Sequence, residues 1–332
     1  MLLLILLTNI LLIYLYFFRD SFIAELAISF VPYIIAFLWI IILILVFLLL
    51  KYSNQKHKNK LTYLILSIIL LIISIWIEMM YSSEYFWFYN QPDDSIRLTD
   101  EEGIKVLYAN ILYKNTDYKS LQEKIEKENP DIVILVEFSD NHEDEMKSFF
   151  KENYPYMNRN SWSNTLAGDV VFSKIPLQNI TETHLVEAWA RNYSYMKLQC
   201  EKCWSWVDLY VIHTAAPVSY KNYEMRNNQI GKLLSDFLKQ QNTGTPTMII
   251  WDFNLSPWSY YYKQLTRHRN MLNALSYQSP NYTRSLHKKL IFRSHIDQLF
   301  ISPEIKVSEV NIEKLIWSDH RSFTFRFESV NN

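Results

Sequence analysis

The first 81 residues are almost unbroken Leu, Ile, Val, Phe and Tyr, and no other feature constrains the fold of this 332-residue chain so sharply. A helix needs ~20 apolar residues to cross a bilayer. Three stretches present themselves: Leu2 to Phe18, Ser21 to Leu50 and Leu61 to Tyr81. The third fits well, the second is long enough to tilt or extend past the hydrocarbon, and the first is the shortest. No basic residue precedes that first stretch and no small-residue cleavage site follows it, so it reads as a retained helix rather than a signal peptide. Lys51, Lys56, Lys58 and Lys60 separate the second and third stretches, and lysines clustered beside spans mark the cytoplasmic side. The third helix therefore runs outward. Tyr81 to Asn90 is an aromatic belt suited to headgroup level, and everything beyond it is expected outside the cytoplasm. Glu25 and Glu78 lie near span ends and are expected to reach the interface.

This reading gives three parts: a membrane anchor over 1–81, an interfacial segment and linker over 82–103, and a water-soluble domain over 104–328. The last part mixes charged, aromatic and apolar residues and is long enough to bury a full core. It opens with an apolar strand, Ile104 to Leu112, and then a helix, Asp117 to Glu128, stopped by Asn129-Pro130. A buried-strand run, Asp131 to Glu137, completes a strand, helix, strand opening. A short helix follows over Asn141 to Phe150, and a strand over Val170 to Phe172 introduced by Gly168. Tyr195 to Tyr210 reads as a β-hairpin turning at Glu201-Lys202, where Cys200 and Cys203 could close a structural disulfide in an oxidising compartment. Tyr220 to Gln240 has helical spacing, and later strands fall at Ser294 to Ile301 and Arg321 to Phe327.

Within this domain the apolar strand Pro246-Thr-Met-Ile-Ile-Trp-Asp-Phe-Asn254 ends abruptly in two polar groups. Strand alternation puts Asp252 and Asn254 on one side and Phe253 on the other. Taken alone this is an ordinary turn, since Asp and Asn favour turns for their own backbone hydrogen bonds. Five other apolar runs carry or adjoin a polar residue of the kind used in phosphate chemistry: Asn110, Glu137, His213, Asp297, and Asp319 with His320. Each alone is a strand end, a satisfied core amide or a core histidine. The set is harder to dismiss, because strands covered on both faces leave their polar groups at the ends, where α/β folds place their sites.

The order and wording of these pieces resemble the endonuclease/exonuclease/phosphatase, or DNase I-like, superfamily. The matching pieces are Asn110 in Tyr108-Ala-Asn-Ile, Glu137 closing Pro130-Asp-Ile-Val-Ile-Leu-Val-Glu, and His213 with Pro217. Asp252-Phe-Asn254 with Pro257, Ile296-Asp297 and Ser318-Asp-His320 complete them, so the likeness runs from about Ile104 to Phe327. The apolar N-terminal part, Gly168 to Pro176, and Asn254-Leu-Ser-Pro-Trp-Ser259 look most like the bacterial membrane-anchored VanJ and YafD-type group. Trp251 and Val136 depart from that pattern, which has Gly and Gln at those places.

The resemblance implies a DNase I-like four-layer α/β sandwich, two packed mixed sheets flanked by helices, behind an N-terminal transmembrane region. It implies a Mg²⁺ site, with Mn²⁺ as the alternative, at Glu137 with Asn110 and Asp319 close by. Asp252 would orient or deprotonate the attacking water, and Asn254 would donate to a phosphoryl oxygen. Asp297 would hold His320 as an imidazolium, with His213 as the second imidazole near the leaving oxygen. Arg226 is the candidate substrate-binding cation; Arg159, Arg191, Arg284 and Arg321 are also available, and sequence does not rank them. His295 reads as a structural neighbour.

The expected activity is metal-assisted in-line hydrolysis of a phosphoester or pyrophosphate, on a lipid-linked substrate at the outer face of a bacterial cytoplasmic membrane. Membrane lipids and the substrate are the partners implied, and no protein partner is. From residue 79 onward the chain carries three more acidic than basic residues, whereas a domain gripping a nucleic-acid backbone usually shows a basic excess. A metal-dependent nuclease is thus disfavoured but uses the same residues. A non-catalytic binding or regulatory protein is the second alternative, and no core residue of the set is missing to point to it.

Overall fold

The computed structural model describes residues 1–51, 60–89, 103–160, 168–183, 193–199, 206–240, 245–267, 271–277, 282–285 and 293–329. They form two units, Met1–Tyr89 with Pro257–Tyr260, and Asn90–Ser256 with Tyr261–Asn332.

The first unit contains helices α1 (Leu2–Phe17), α2 (Phe22–Ile28), α3 (Val31–Lys51) and α4 (Lys60–Tyr89). Among the described residues two helical stretches are long and apolar enough to cross a membrane, all 21 residues of α3 and the 22 residues Leu61–Ser82 of α4. Side chains such as Leu43, Phe47, Leu61 and Ile72 are more than half exposed, as a bilayer-facing surface requires. The α1–α2 pair bends by 111°, the geometry of a broken span or a re-entrant loop. The expected single stretch from Ser21 to Leu50 is therefore two helices. Ser21 caps α2 by accepting from Ala24 N, and Pro32, which lacks an N–H, sits in the first turn of α3, where proline is tolerated, so a new helix begins there. Helix α4 continues past residue 81 to Tyr89, since no glycine or proline stops it before Pro92. Glu25 is buried rather than exposed, and Glu78 accepts from Trp39 Nε1 at 2.9 Å.

The second unit is built from strands β1 (Ile104–Asn110), β2 (Ile132–Phe138), β3 (Tyr156–Asn160), β4 (Gly168–Ser173), β5 (Leu177–Thr183), β6 (Tyr193–Gln199) and β7 (Trp206–His213). They are followed by β8 (Thr247–Asp252), β9 (Leu272–Asn273), β10 (Arg284–Ser285), β11 (Arg293–Ser294), β12 (Asp297–Ile301), β13 (Ile305–Lys314) and β14 (Arg321–Ser329). Helices α5 (Tyr118–Glu128), α6 (Asp140–Asn153), α7 (Tyr220–Gln240) and α8 (Tyr260–Arg267) connect them. One six-stranded sheet has the order β13-β14-β1-β2-β4-β3, the other β5-β6-β7-β8-β12-β9, and β10 pairs with β11 apart from both. Among the described residues only β1–β2 and β7–β8 are parallel neighbours, so both sheets are mixed.

Strand alternation explains the layers. Val106, Tyr108, Ile132, Ile134 and Val136 point inward and pack with Met196, Val207, Leu209, Val211, Ile250 and Phe323 in the core between the sheets. Leu107, Ala109, Val133 and Leu135 point the other way, against Leu121 and Ile125 of α5 and Met146 and Phe150 of α6. Helix α5 is capped by Asp117, which accepts from Ser120 N, and closes at Asn129 in the left-handed conformation, as Asn129-Pro130 suggested.

The sequence reading of the second unit changes as well. Ser294 to Ile301 is not one strand but β11 and β12, because Ser294 pairs with Arg284 while Asp297 pairs with Asp252 in another sheet. Strands β3, β5, β9, β10 and β13 have no counterpart in the sequence reading. The cysteine hairpin is present as β6–β7, with Gln199 opposite Trp206, while Cys200 and Cys203 lie outside the described residues.

Candidate active site

The carboxyl ends of β1 and β2 in one sheet, and of β7 and β8 in the other, carry Asn110, Glu137, His213 and Asp252. Asn110 ends β1, two residues beyond Tyr108 and so on the same inward face. Its Oδ1 accepts from Leu112 N at 3.1 Å, which leaves Nδ2 to donate to Asp252 Oδ2 at 3.0 Å and Glu137 Oε1 at 3.3 Å. One carboxamide thus bridges carboxylates from both sheets.

Glu137 reaches this point through a backbone irregularity. The pairing of β2 with β4 skips it, since Val136 is opposite Asp169 and Phe138 opposite Gly168, and its φ is 64°. A bulge residue in the left-handed region turns its side chain out of the ladder's alternation. Tyr113 N then donates to Glu137 Oε2 at 3.0 Å.

His213 and Asp252 are register partners on β7 and β8, with His213 Nε2 3.6 Å from Asp252 Oδ2 and 4.0 Å from Glu137 Oε1. Asn254 follows at φ 49°. Its N–H donates to Asp252 Oδ1 at 3.1 Å and its Nδ2 to Thr214 O at 3.1 Å. Asp252 and Asn254 stand together as expected, but an Asx turn beyond the strand joins them rather than strand alternation.

Asp297 opens β12 directly opposite Asp252. Its backbone N–H donates to Thr283 Oγ1 at 2.9 Å, its Oδ1 accepts from Tyr108 Oη at 2.9 Å, and its Oδ2 lies 2.9 Å from His320 Nδ1. His320 Nε2 is 3.8 Å from Asp252 Oδ2. The turn before β14 is pinned by Ser318, whose Oγ donates to Asn110 O at 2.8 Å and accepts from His320 N at 3.1 Å. Asp319 Oδ2 accepts from Arg284 Nε at 3.0 Å.

These distances set the charges. Burial raises the Asp252 carboxyl and Asp297 raises it further, while His320, Arg284 and the Asn110 hydrogen bond work against this, leaving it at about 6. Burial pulls the His320 imidazolium down, but Asp297, Asp252 and the Asp297 hydrogen bond more than offset it, raising it to about 9. Burial also pushes the Asp319 carboxyl up, yet His320 and Arg284 hold it below its ordinary value. The Tyr108 phenol is pushed well above its ordinary value, by burial first and then by Asp297 and Asp252. Near neutral pH the site therefore holds a carboxylate at Asp252, an imidazolium at His320 and a neutral phenol at Tyr108.

Asn110, Glu137, His213, Asp252, Asn254, Asp297 and His320 all come together, and Asp319 joins them beside Arg284. Arg226 is fully buried, its Nη1 3.4 Å from Asn254 O and its Nη2 2.9 Å from Asn227 Oδ1. It lies against the backbone of Asn254. His295 places Nε2 2.8 Å from Gln298 Oε1. Sequence reasoning passed over Tyr108 and Thr283. Tyr108 carried a signal, since alternation puts it on the face of Asn110; Thr283 carried none.

Asp252, Asp297 and His320 can bring ligand atoms within 4.8 Å of one another. Both Asp297 oxygens are already engaged, and the side chain is inaccessible. The three therefore act better as a proton-holding group than as a cation cage. Among the described residues no group of that spacing includes Glu137 or Asp319; each is a hard carboxylate of the kind taken by a divalent cation that keeps most of its waters.

The sequence profile of the Endonuclease/Exonuclease/phosphatase family matches residues 107–320. Among solved structures the chain is similar to the human Nocturnin catalytic domain with bound sulfate anion, at 19% identity and TM-score 0.55, covering 69% of this chain and 95% of that one. It is similar to truncated Caenorhabditis elegans TDP2, at 17% identity and TM-score 0.54, covering 68% and 98%. A mannosyl-6-phosphatase from Bacteroides thetaiotaomicron is similar at 13% identity and TM-score 0.53, covering 68% and 99%. No curated protein matches the chain.

Proposed function

The chain belongs to the endonuclease/exonuclease/phosphatase family of phosphoester hydrolases, and from that premise we propose that it is a membrane-anchored, divalent-cation-dependent phosphoesterase acting on a lipid-linked phosphate or pyrophosphate outside the cytoplasm. The observation that carries the reading is the convergence of Glu137, Asp252 and the Asp297–His320 pair around the single carboxamide of Asn110.

In this reading Glu137 and Asp319, with Asn110 beside them, hold Mg²⁺ or Mn²⁺, which when bound neutralises phosphate charge. Asp252, ionised near neutral pH, orients the attacking water and takes its proton. Asn254 Nδ2 turns from Thr214 O to the phosphoryl oxygen where charge accumulates. His320, kept cationic by Asp297, donates from Nε2 to the phosphate, and His213 stands beside the leaving oxygen. Water attacks phosphorus in line and the ester or anhydride oxygen departs, with no enzyme-bound intermediate.

The apolar helices α3 and α4 support a substrate at the bilayer, and the Lys51 to Lys60 cluster supports the outward orientation. The excess of acidic residues after residue 79 weighs against a nucleic-acid substrate. The test is one assay of the detergent-solubilised protein on a polyprenyl pyrophosphate, sphingomyelin and DNA with Mg²⁺. We expect turnover of the lipid pyrophosphate alone, abolished by chelation and by Glu137→Ala. Undiminished Mg²⁺-dependent turnover in Glu137→Ala would rule out the metal role, and turnover confined to DNA would replace the substrate with a nucleic acid.

A further inference from the structure

Arg284 stands apart among the described arginines of the second unit. Arg159 is paired with Asp140 and Glu143, Arg326 with Glu309, and Arg226 is buried against Asn254 O. Arg293 and Arg321 lie over the Tyr282 ring, at 4.3 and 4.0 Å from its centroid. Arg284 alone holds a site carboxylate, and it does so with Nε at 3.0 Å from Asp319 Oδ2. Its Nη1 and Nη2 make no hydrogen bond among the described residues, and a third of its side chain is exposed.

Its backbone is fixed where the site is built. Arg284 bridges to His320, Ser285 N donates to Asp319 O at 2.9 Å, and Arg321 N donates to Thr283 O at 2.7 Å. On the other side Thr283 N donates to Ser294 O at 2.9 Å, and Thr283 Oγ1 accepts from Ile296 N and Asp297 N. The same residue that orients Asp297 thus precedes Arg284 and locks its direction. The guanidinium also feels Asp252 and Asp297 electrostatically, together with Asp319.

A guanidinium held at Nε keeps a planar two-pronged edge, Nη1 and Nη2, whose spacing matches two oxygens of one phosphate. The surroundings are acidic, with Glu137, Asp252, Asp297 and Asp319 against the fixed cations Arg284 and His320. An incoming phosphate adds negative charge to that set. A terminal phosphoryl group, with three non-bridging oxygens and close to two charges, gains more from a second fixed cation than a diester, with two such oxygens and one charge.

We propose that Arg284 is a substrate-binding, specificity-determining residue that grips two non-bridging oxygens of a terminal phosphoryl group, so that the enzyme selects a phosphomonoester or the end of a pyrophosphate over a phosphodiester. The substrate part of this inference rests on the phosphoesterase reading; the anion-binding part does not.

The experiment compares wild type, Arg284→Ala and Arg284→Lys on p-nitrophenyl phosphate and bis(p-nitrophenyl) phosphate with Mg²⁺, and measures inorganic phosphate binding by calorimetry. Thermal unfolding of each variant confirms that it is folded. Arg284→Ala should raise KM for the monoester and Kd for phosphate by about ten- to a hundredfold, with a smaller fall in kcat and little change in KM for the diester. Arg284→Lys should recover the charge but not the paired grip, and so only part of the loss. Monoester KM and phosphate Kd within about twofold of wild type in a folded Arg284→Ala protein would overturn the proposal. Equal losses on both esters would overturn its selectivity. If wild type turns over neither ester, the variants are compared on the polyprenyl pyrophosphate, and no turnover there either sinks the phosphoesterase reading, while phosphate binding that still depends on Arg284 would uphold the anion site.

Discussion

Tyr108 donates its hydroxyl to Asp297 Oδ1 at 2.9 Å, on the opposite side of the carboxylate from the oxygen that faces His320. The two residues are 189 positions apart and come from different sheets. Asp297 is thereby held from both sides with no access to water, so its charge and direction are set before any substrate arrives. Tyr108→Phe would leave one buried carboxylate oxygen without a donor, at a cost of about 1–3 kcal/mol. The expected result is a Tm lower by several degrees. It should come with kcat reduced about tenfold and KM little changed, since Tyr108 contacts no substrate. Thermal unfolding and steady-state kinetics on the same preparation check it; an unchanged kcat would remove Tyr108 from the positioning of His320.

Asp252 and His320 together predict a bell-shaped dependence of turnover on pH. Asp252 acts as a carboxylate and its pKa is raised to about 6, so activity should rise as pH passes upward through that region. His320 acts as an imidazolium and its pKa is raised to about 9, so activity should fall as pH passes through that higher region. The limbs belong to the interacting group as a whole. In His320→Gln the residual activity should keep its acid limb and lose its alkaline limb. An alkaline limb persisting in that variant would assign it to another residue.

Much of this site was legible because alternation along a strand is a strong constraint. The apolar runs placed the polar residues at the ends of β1, β2, β7 and β8, and the family resemblance named Asp297 and His320 as a pair. What alternation cannot show is a residue that breaks it. The bulge at Glu137 has no mark in Val136-Glu137-Phe138, and the bulge near Glu309 breaks the pattern of β13 by separating Val307 from Val310 by three positions instead of two. Arg284 could not be ranked among the arginines for a related reason. Its place depends on a two-residue strand whose segment is held by backbone hydrogen bonds from Thr283 N to Ser294 O, from Ser285 N to Asp319 O and from Arg321 N to Thr283 O, and backbone contacts between distant segments leave no trace in side-chain order. The helix break before Pro32 was readable in principle, and was hidden by unbroken apolar character on both sides.

Asn254 offers a test of backbone strain against chemistry. At φ 49° it occupies a conformation that glycine adopts without penalty, while its Nδ2 is the donor assigned to the phosphoryl oxygen. Asn254→Gly should therefore leave Tm unchanged or slightly higher and lower kcat by about a hundredfold, the loss typical of one oxyanion donor. Asn254→Ala loses the same donor and keeps the strain, so it should match the glycine variant in kcat and fall below it in Tm. Equal Tm values for the two variants would show that the turn carries no strain.

Stability at low pH should turn on a residue outside the active site. His142 is the third residue of α6 and is fully buried; its Nδ1 accepts from Ser139 N at 3.2 Å while its own N–H donates to Ser139 Oγ, a reciprocal cap. Its ring meets Tyr118 and Phe138, and its Nε2 has no hydrogen-bond partner among the described residues. Burial lowers its pKa from 6.5 to about 4, so the native state keeps it neutral while the unfolded chain takes up a proton. A lowered histidine pKa means that the unfolded state binds more protons between these values, so the contribution is complete above pH 6.5 and is lost as pH falls toward 4. His142→Gln places a residue at the same cap position that can accept from Ser139 N without titrating. Wild-type Tm should fall faster than that of His142→Gln as pH is lowered from 6.5 to 4, with the two curves parallel above pH 6.5. Parallel curves throughout the range would show that His142 is already protonated, or equally solvated, in the folded protein.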